Sequence, residues 1–265
     1  MKKITSHRLW QIDVLRGLAV IGMIVFHVFF ILNFFDVLIH SMYTGGWLIL
    51  ARFVQFTFIG LVGVSLALSH SNYKKQFNRG LFVLLCGMLI TVVTYIAIPE
   101  QFVRFGILHL IGFSIIILAP IAQKRYLALI LGIIAFAAAK PINELLNIET
   151  FSSVDYFEIF PWISIVLVGI FLGNFLRDKI KDKKNPSAPK LTTPVVFLGQ
   201  HSLLIYMIHI PLILLILIAL NIVPFNKIQQ NVTPDRQYHN ADNRNFTNTQ
   251  TGSINFRIKL LTGWP

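Results

Sequence analysis

The chain has 265 residues, of which 55% are hydrophobic and 13% are charged, against a usual charged share of about 25%. Its formal net charge of +12 would suit a nucleic-acid-binding protein, but the basic residues form short clusters between long apolar runs instead of one basic surface. This distribution argues against a nucleic-acid partner and predicts a protein that lies in a lipid bilayer.

The first apolar run carries three ionisable residues on one helical face. Arg16 and His27 are eleven residues apart, close to three whole turns, and Asp13 lies one turn before Arg16. An ionisable side chain in lipid is costly enough to indicate a function. We predict that Arg16 fixes an anionic part of a ligand that enters from the cytoplasm and that His27 is a general base. The alternatives are snorkelling of Arg16 to the headgroups and a packing role for His27.

Seven apolar segments are long enough to span a membrane, which takes about 20 residues. The fifth is the shortest and ends at Lys140-Pro141, so it can tilt, stop early or re-enter. We predict an all-α polytopic bundle of about seven transmembrane helices, forming a single domain over residues 1–224, and we expect disorder in the polar tail of residues 225–265. The predicted segments are residues 10–35, 47–69, 79–98, 105–122, 125–140, 159–177 and 195–223.

The basic clusters give the predicted orientation. If all seven segments cross, the clusters before the first segment and after the second, fourth and sixth all lie on one side. The positive-inside rule then places the N-terminus in the cytoplasm and the tail outside. The sequence therefore predicts a multi-pass protein of the cell membrane, plasma or inner.

Further polar candidates lie in the later segments. His109 follows Arg104 by five residues at the start of the fourth segment, and His201 and His209 share one face of the last segment. Those two histidines are roughly 12 Å apart, too far to chelate one metal ion, so no metal site is predicted. Asp155 belongs to an acidic external loop that either holds a cationic or hydroxyl-rich acceptor or is an ordinary solvated loop.

Four motifs, read in chain order, are similar to those of a known family. The Asp13, Arg16, Gly17 and His27 pattern resembles the first-helix signature of the transmembrane acyltransferase superfamily. Three further stretches resemble the bacterial branch of the heparan-alpha-glucosaminide N-acetyltransferase catalytic-domain family, and the resemblance covers about residues 8 to 222. These stretches are residues 104–112, residues 155–162 leading to 169–173, and residues 199–209.

The resemblance implies acetyl transfer across the membrane, from acetyl-coenzyme A docked on the cytoplasmic side to an amino sugar on the other side. Asp13 and Arg16 would then bind the acyl donor, and His27 would be the general base. The animal enzyme of the family has Asn at the position of His27 and its proposed catalytic His in the following loop, where His40 is the nearest equivalent here, so His40 is the second candidate base. The residues assigned to the acceptor are His109, Asp155, His209 and Arg104.

We therefore expect an integral membrane acyltransferase that moves an acetyl or other short acyl group to an amine or hydroxyl of an extracytoplasmic sugar or glycan. No covalent nucleophile is evident, so direct attack in a ternary complex is preferred over an acyl-histidine intermediate. The alternatives are a transporter or permease with an intramembrane Arg/His path, and a non-catalytic membrane subunit. The absence of paired, Gly/Pro-interrupted segments argues against a transporter. The sequence leaves open the acceptor, the acyl chain length and the oligomeric state, a homo-oligomer included.

Overall fold

The structure, a computed structural model, describes residues 9–38, 42, 44–69, 71–99, 101–145, 155–180 and 189–223. This part of the chain is helical and holds no strand apart from an isolated parallel bridge between Phe105 and Tyr156. The all-α prediction is confirmed. The helices are α1 Trp10–Phe34, α2 Gly45–Leu68, α3 Tyr73–Ala97, α4 Ile107–Leu118, α5 Arg125–Ala137, α6 Ala139–Leu145, α7 Ile159–Ile180, α8 Thr193–Gln200 and α9 Ser202–Ala219, with 3-10 turns at Ala119–Ile121 and Lys190–Thr192.

Within the described residues, five helices are long and apolar enough to cross a membrane, namely α1, α2, α3, α7 and α9. The helices α5 and α6 are bent by 51° and make a sixth span if they cross as one, so the fifth predicted segment is indeed the irregular one. The fourth, residues 105–122, contains a helix of only 12 residues, about 18 Å long against a hydrocarbon core of about 30 Å. A polytopic helix bundle is thus confirmed, but a count of seven spans is not.

The last predicted segment, residues 195–223, is not one helix. It divides into α8 and α9 at His201, whose φ of −103° and ψ of 17° leave the helical region. The helix α8 lies directly against the start of α1, where a Cβ at Gly199 would overlap the carbonyl oxygen of Asp13 and one at Gly17 would overlap that of Val195. The break coincides with the polar residues Gln200, His201 and Ser202, which the prediction placed inside one span.

Glycines form the contact between α2 and α7, the most extensive helix pair of the bundle. A Cβ at Gly63 would overlap the carbonyl oxygen of Val166, and one at Gly169 would overlap that of Gly60. Small residues allow two membrane helices to approach backbone to backbone, where dispersion contacts are densest. Gly80 of α3 and Gly112 of α4 make the same kind of contact.

The two ends of the bundle differ in charge. At one end, which we call the basic end, Arg177 and Gln123 both donate to the carbonyl oxygen of Ala67 near the end of α2. Arg16 also contacts this end of α2, through Ser65. The end of α2 thus meets Arg177, from the predicted cytoplasmic cluster after the sixth segment, and Gln123, which directly precedes the basic pair Lys124-Arg125. At the opposite end, which we call the loop end, the bridge between Phe105 and Tyr156 joins the loops that precede α4 and α7.

Candidate active site

His27 of α1 and His209 of α9 meet inside the bundle. Their ring centroids are 4.7 Å apart and the rings are nearly perpendicular, at 82°. The Nδ1 of His27 lies 2.8 Å from the carbonyl oxygen of Met23, and that of His209 lies 2.6 Å from the carbonyl oxygen of Tyr206. A carbonyl oxygen only accepts, so each Nδ1 donates, and each neutral ring carries its lone pair on Nε2. We call these two residues the histidine pair.

The Nε2 of His209 is the polar atom of the histidine pair most in need of a ligand. His209 is 4% exposed, and its Nε2 is buried with no hydrogen-bond partner among the described residues. A buried basic nitrogen without a partner is unfavourable unless a ligand, a proton or a water satisfies it. The sequence identifies both histidines, but on distant segments. The structure brings them together because α9 packs along α1. Ile213 and Leu217 of α9 share one apolar cluster with Ile31 and Phe35.

Asp155 connects three elements at the loop end. Its Oδ2 accepts from the backbone N–H of Ile107 at 3.3 Å and from the hydroxyl of Tyr206 at 3.4 Å. The Tyr206 ring in turn lies 5.4 Å from that of His209, centroid to centroid. Asp155 therefore lies one side chain away from the histidine pair. Tyr206 was not among the predicted site residues, although its spacing of three residues from His209 fits such a contact.

Burial raises the pKa of Asp155 from 3.8 to about 6, and the hydrogen bonds from Ile107 and Tyr206 oppose that rise. Gly106 makes the arrangement possible, because a Cβ there would press against the carboxylate. Asp155 is thus a carboxyl group that changes its charge near neutral pH at the edge of the candidate site.

His109 has protein partners for both ring nitrogens. The backbone N–H of Gly106 donates to its Nδ1 at 3.2 Å, so the proton of the neutral ring is on Nε2, which lies 3.3 Å from the hydroxyl of Thr91. That hydroxyl donates to the carbonyl oxygen of Val103 at 2.7 Å. His109 is 3% exposed. These contacts favour helix packing over acceptor binding for His109, since it closes the start of α4 against α3.

Arg16 lies at the basic end, where three elements surround it. Its Nη1 is 3.1 Å from Asp13 Oδ1, and its Nη2 donates to the hydroxyl of Ser65 at 2.7 Å. Asp13 is 3% exposed, and Gln200 reaches its other oxygen at 3.5 Å. Asp13 therefore orients the guanidinium of Arg16 and balances its charge. This favours a positioning role for Asp13 over direct contact of Asp13 with a ligand. Ser65 carries no signal in the sequence, whereas Gln200 lies within the last of the four motifs.

Two of the remaining candidates, Arg104 and His201, have exposed side chains. Arg104 is exposed at the loop end, with its guanidinium 5.1 Å from the Phe102 ring centroid. His201 is exposed at the break between α8 and α9, and its ring is 4.2 Å from that of Phe197, so it does not share a face with His209 as predicted. His40 lies outside the described residues. In the described ranges no group of three or more His, Cys, Asp or Glu side chains has an arrangement that holds a metal ion.

The family model described as "Heparan-alpha-glucosaminide N-acetyltransferase, catalytic" matches residues 8–211. The chain belongs to this family. The match contains α1 to α8 and the part of α9 that carries Tyr206 and His209, so both the histidine pair and the Arg16 site fall inside the catalytic region of the heparan-alpha-glucosaminide N-acetyltransferase family. No curated protein and no solved structure matches the chain. Family membership and the long apolar helices together make this protein a multi-pass membrane acyltransferase.

Proposed function

We propose that the protein transfers an acetyl or other short acyl group from acyl-coenzyme A, bound at the basic end, to an amine or hydroxyl of an extracytoplasmic sugar or glycan. The observation that carries this proposal is the contact of His209 with His27. His27 lies on α1, the helix that also holds Arg16. One straight helix then connects a donor site with a base. The helical rise between Arg16 and His27 is roughly 16 Å, a distance that the extended pantetheine arm of coenzyme A can bridge.

Arg16 is the proposed contact for a phosphate of the donor. A guanidinium has five N–H donors and forms short, charge-assisted hydrogen bonds with phosphate oxygens. Asp13 and Ser65 each accept a hydrogen bond from it and so fix its orientation. The basic end as a whole would attract a polyanionic donor from the cytoplasm.

His27 is the proposed general base. The acceptor nitrogen or oxygen attacks the thioester carbonyl carbon while Nε2 of His27 takes its proton. The tetrahedral intermediate then collapses, the C–S bond breaks, and the coenzyme A thiolate leaves and regains a proton from the imidazolium. Backbone carbonyls fix the tautomer of both rings of the histidine pair, which keeps the Nε2 lone pairs available for this step. His209 and Asp155 are the proposed acceptor contacts.

Two substitutions in purified protein test these roles. Arg16→Ala should weaken acetyl-coenzyme A binding by about 10- to 100-fold, the effect of losing a charge-assisted hydrogen bond. His27→Ala should leave donor binding within about twofold while transfer to an amino-sugar acceptor falls by about 10²- to 10⁴-fold. Isothermal titration calorimetry and a discontinuous transfer assay measure the two quantities.

Arg52→Ala is the matched control for Arg16→Ala, because Arg52 lies toward the other end of α2, over the ring of Trp162. It should leave donor affinity unchanged. Full transfer activity in His27→Ala would move the base to His40 or elsewhere, and no detectable binding of acetyl-coenzyme A to the native protein would exclude the donor assignment.

A transporter is the second candidate, because two helical segments are interrupted: the break between α8 and α9, and the bend of 51° between α5 and α6. Interrupted helices near a polar site are typical of secondary transporters. Proteoliposomes loaded with glucosamine and supplied with external labelled acetyl-coenzyme A distinguish the two. The acyltransferase yields N-acetylated sugar, whereas a transporter moves a solute without acylating it.

A further inference from the structure

A second cationic site lies at the basic end, apart from Arg16. An open cleft of about 430 Å³ lies between the start of α5 and the end of α7. Three basic side chains, Lys124, Arg125 and Arg177, line it, with one acidic side chain, Asp178. The lining is therefore cationic overall. We call it the α5–α7 cleft.

The basic side chains of the α5–α7 cleft are held in different ways. Arg125 lies 3.3 Å from Asp178, and its guanidinium lies 4.5 Å from the centroid of the Tyr126 ring. Arg177 donates to the carbonyl oxygen of Ala67 at 3.3 Å, which uses one of its five N–H groups. The side chain of Lys124 is exposed. Ammonium and guanidinium groups at such an edge bind phosphate oxygens strongly.

The walls of the cleft are built in advance of any ligand. Asn174, which is 1% exposed, donates to the carbonyl oxygens of Ala122 at 2.8 Å and Ile170 at 2.9 Å. Gln123 donates to the carbonyl oxygens of Ala67 at 3.1 Å and Ser69 at 3.3 Å. These bonds fasten the turn before α5 to α7 and to the end of α2. Little conformational entropy is then lost when a ligand binds.

A further observation indicates the chemistry of the ligand. The helix α5 begins at the cleft with no acidic residue in its first turn and no side-chain cap on its N-terminus, so its free N–H groups favour an anion. Together with the three basic side chains, this favours a phosphate group as the ligand.

The cleft and the Arg16 site contact different residues of α2. Arg16 contacts the hydroxyl of Ser65, whereas Arg177 and Gln123 contact the carbonyl oxygen of Ala67 and belong to elements that do not contain the histidine pair. A ligand in the cleft therefore does not need to occupy the transfer site.

We propose that the α5–α7 cleft binds a phosphate ester. This chemistry is shared by phospholipid headgroups, such as that of phosphatidylglycerol, and by the nucleotide end of coenzyme A. The site itself does not depend on acyl transfer; only the nucleotide source rests on the proposed function.

The test uses the full chain with Lys124→Gln and Arg177→Gln combined, against a control with Lys179→Gln and Arg79→Gln. Both double variants remove one Lys and one Arg charge, but Lys179 and Arg79 do not line the cleft. One probe is thermal stabilisation by phosphatidylglycerol added to protein in neutral detergent. The other is the affinity for coenzyme A compared with that for dephospho-coenzyme A, which lacks the 3′-phosphate.

In the cleft variant we expect one of two quantities to fall by about tenfold or more: the thermal stabilisation by phosphatidylglycerol, or the preference for coenzyme A over dephospho-coenzyme A. In the control, both quantities should stay within twofold of those of the native protein. Loss of the phosphatidylglycerol response identifies a lipid headgroup, and loss of the preference for coenzyme A over dephospho-coenzyme A identifies the nucleotide. Responses of the cleft variant equal to those of the control for both probes would overturn the proposal.

Because Arg177 also holds α2, the single variant Lys124→Gln is measured in parallel. It should show at least a threefold loss of the same response. The phosphatidylglycerol measurement needs no turnover, so it tests the cleft even if the chain proves to have no affinity for coenzyme A.

Discussion

Asp155 lies where α4, α7 and α9 come together at the loop end, and its protonation affects the stability of all three. Burial raises its pKa in the folded protein to about 6, from 3.8. The folded state therefore binds this proton more tightly than the unfolded state does. The stabilising effect of the proton is complete below the lower value and is lost as pH rises through about 6.

Asp155→Asn removes this titration while keeping an oxygen that accepts from Ile107. We expect the melting temperature of the native protein to fall more steeply between pH 5 and pH 7.5 than that of the variant, with the curves closest at the acidic end. Thermal unfolding in detergent across this range measures the difference. Parallel curves would contradict the prediction.

Tyr206→Phe tests the same titration by removing a hydrogen-bond donor of Asp155. The tyrosine hydroxyl stabilises the ionised form of Asp155 and so lowers its pKa. Its removal should move the fall in melting temperature to higher pH.

The residues of the candidate site were largely predictable one by one, but their grouping was not. Arg16 and His27 are evident because an ionisable side chain in an apolar run is unfavourable without a purpose. The contact between His27 and His209 depends on how α9 packs along α1, which no local pattern encodes. His109 shows the converse: its spacing from Arg104 is suggestive, yet Gly106 and Thr91 occupy both of its nitrogens.

At the level of the helices, hydropathy predicted the positions of the apolar segments better than the helices that these segments form. The limits of α1, α2 and α7 follow the predicted segments to within a few residues, because each is a long apolar run between polar loops. The break at His201 was missed, since the polar stretch Gln200 to Ser202 is short and lies between two strongly apolar runs. The short α4 was taken for a full span because the neighbouring loop and 3-10 turn are apolar too.

The contact between α2 and α7 leads to a prediction with an internal control. In Gly63→Ala the new Cβ would overlap the carbonyl oxygen of Val166 and lie 2.7 Å from the backbone nitrogen of Ile170. We expect a loss of about 1–3 kcal/mol, or roughly 3–10 °C in melting temperature, because two helix backbones must separate.

Gly60→Ala is the control, one turn away on the same helix. Its nearest neighbour would be Cγ2 of Ile165 at 3.9 Å, an ordinary contact. This variant should be neutral or slightly more stable, since Ala forms helices better than Gly. Equal destabilisation of both variants would mean that the close approach of α2 and α7 is wrong.

For the whole molecule, the orientation in the membrane decides from which side the donor arrives. The basic end collects side chains from the ends of several helices, and the positive-inside rule predicts that it faces the cytoplasm. Residues 225–265 lie outside both the described ranges and the family match, so the single domain over residues 1–224 stays a prediction.

Single-cysteine labelling tests the orientation. In a Cys86→Ala background, Arg104→Cys at the loop end should react with a membrane-impermeant maleimide on intact cells. Lys124→Cys at the basic end should react only after permeabilisation. Both native side chains are exposed, so accessibility within the protein does not limit either reaction. The reverse pattern would place the donor site on the outer face.

In the proposed mechanism, the ion pair between Arg16 and Asp13 would also affect how the spent coenzyme leaves. With no ligand bound, the carboxylate of Asp13 is the counter-ion of the guanidinium at the edge of the lipid. A donor phosphate that binds Arg16 would share the cation with Asp13, and this competition would reduce the free energy of binding. The proposed site would therefore hold its donor with moderate affinity, and when the product departs, the carboxylate of Asp13 is in place to take over.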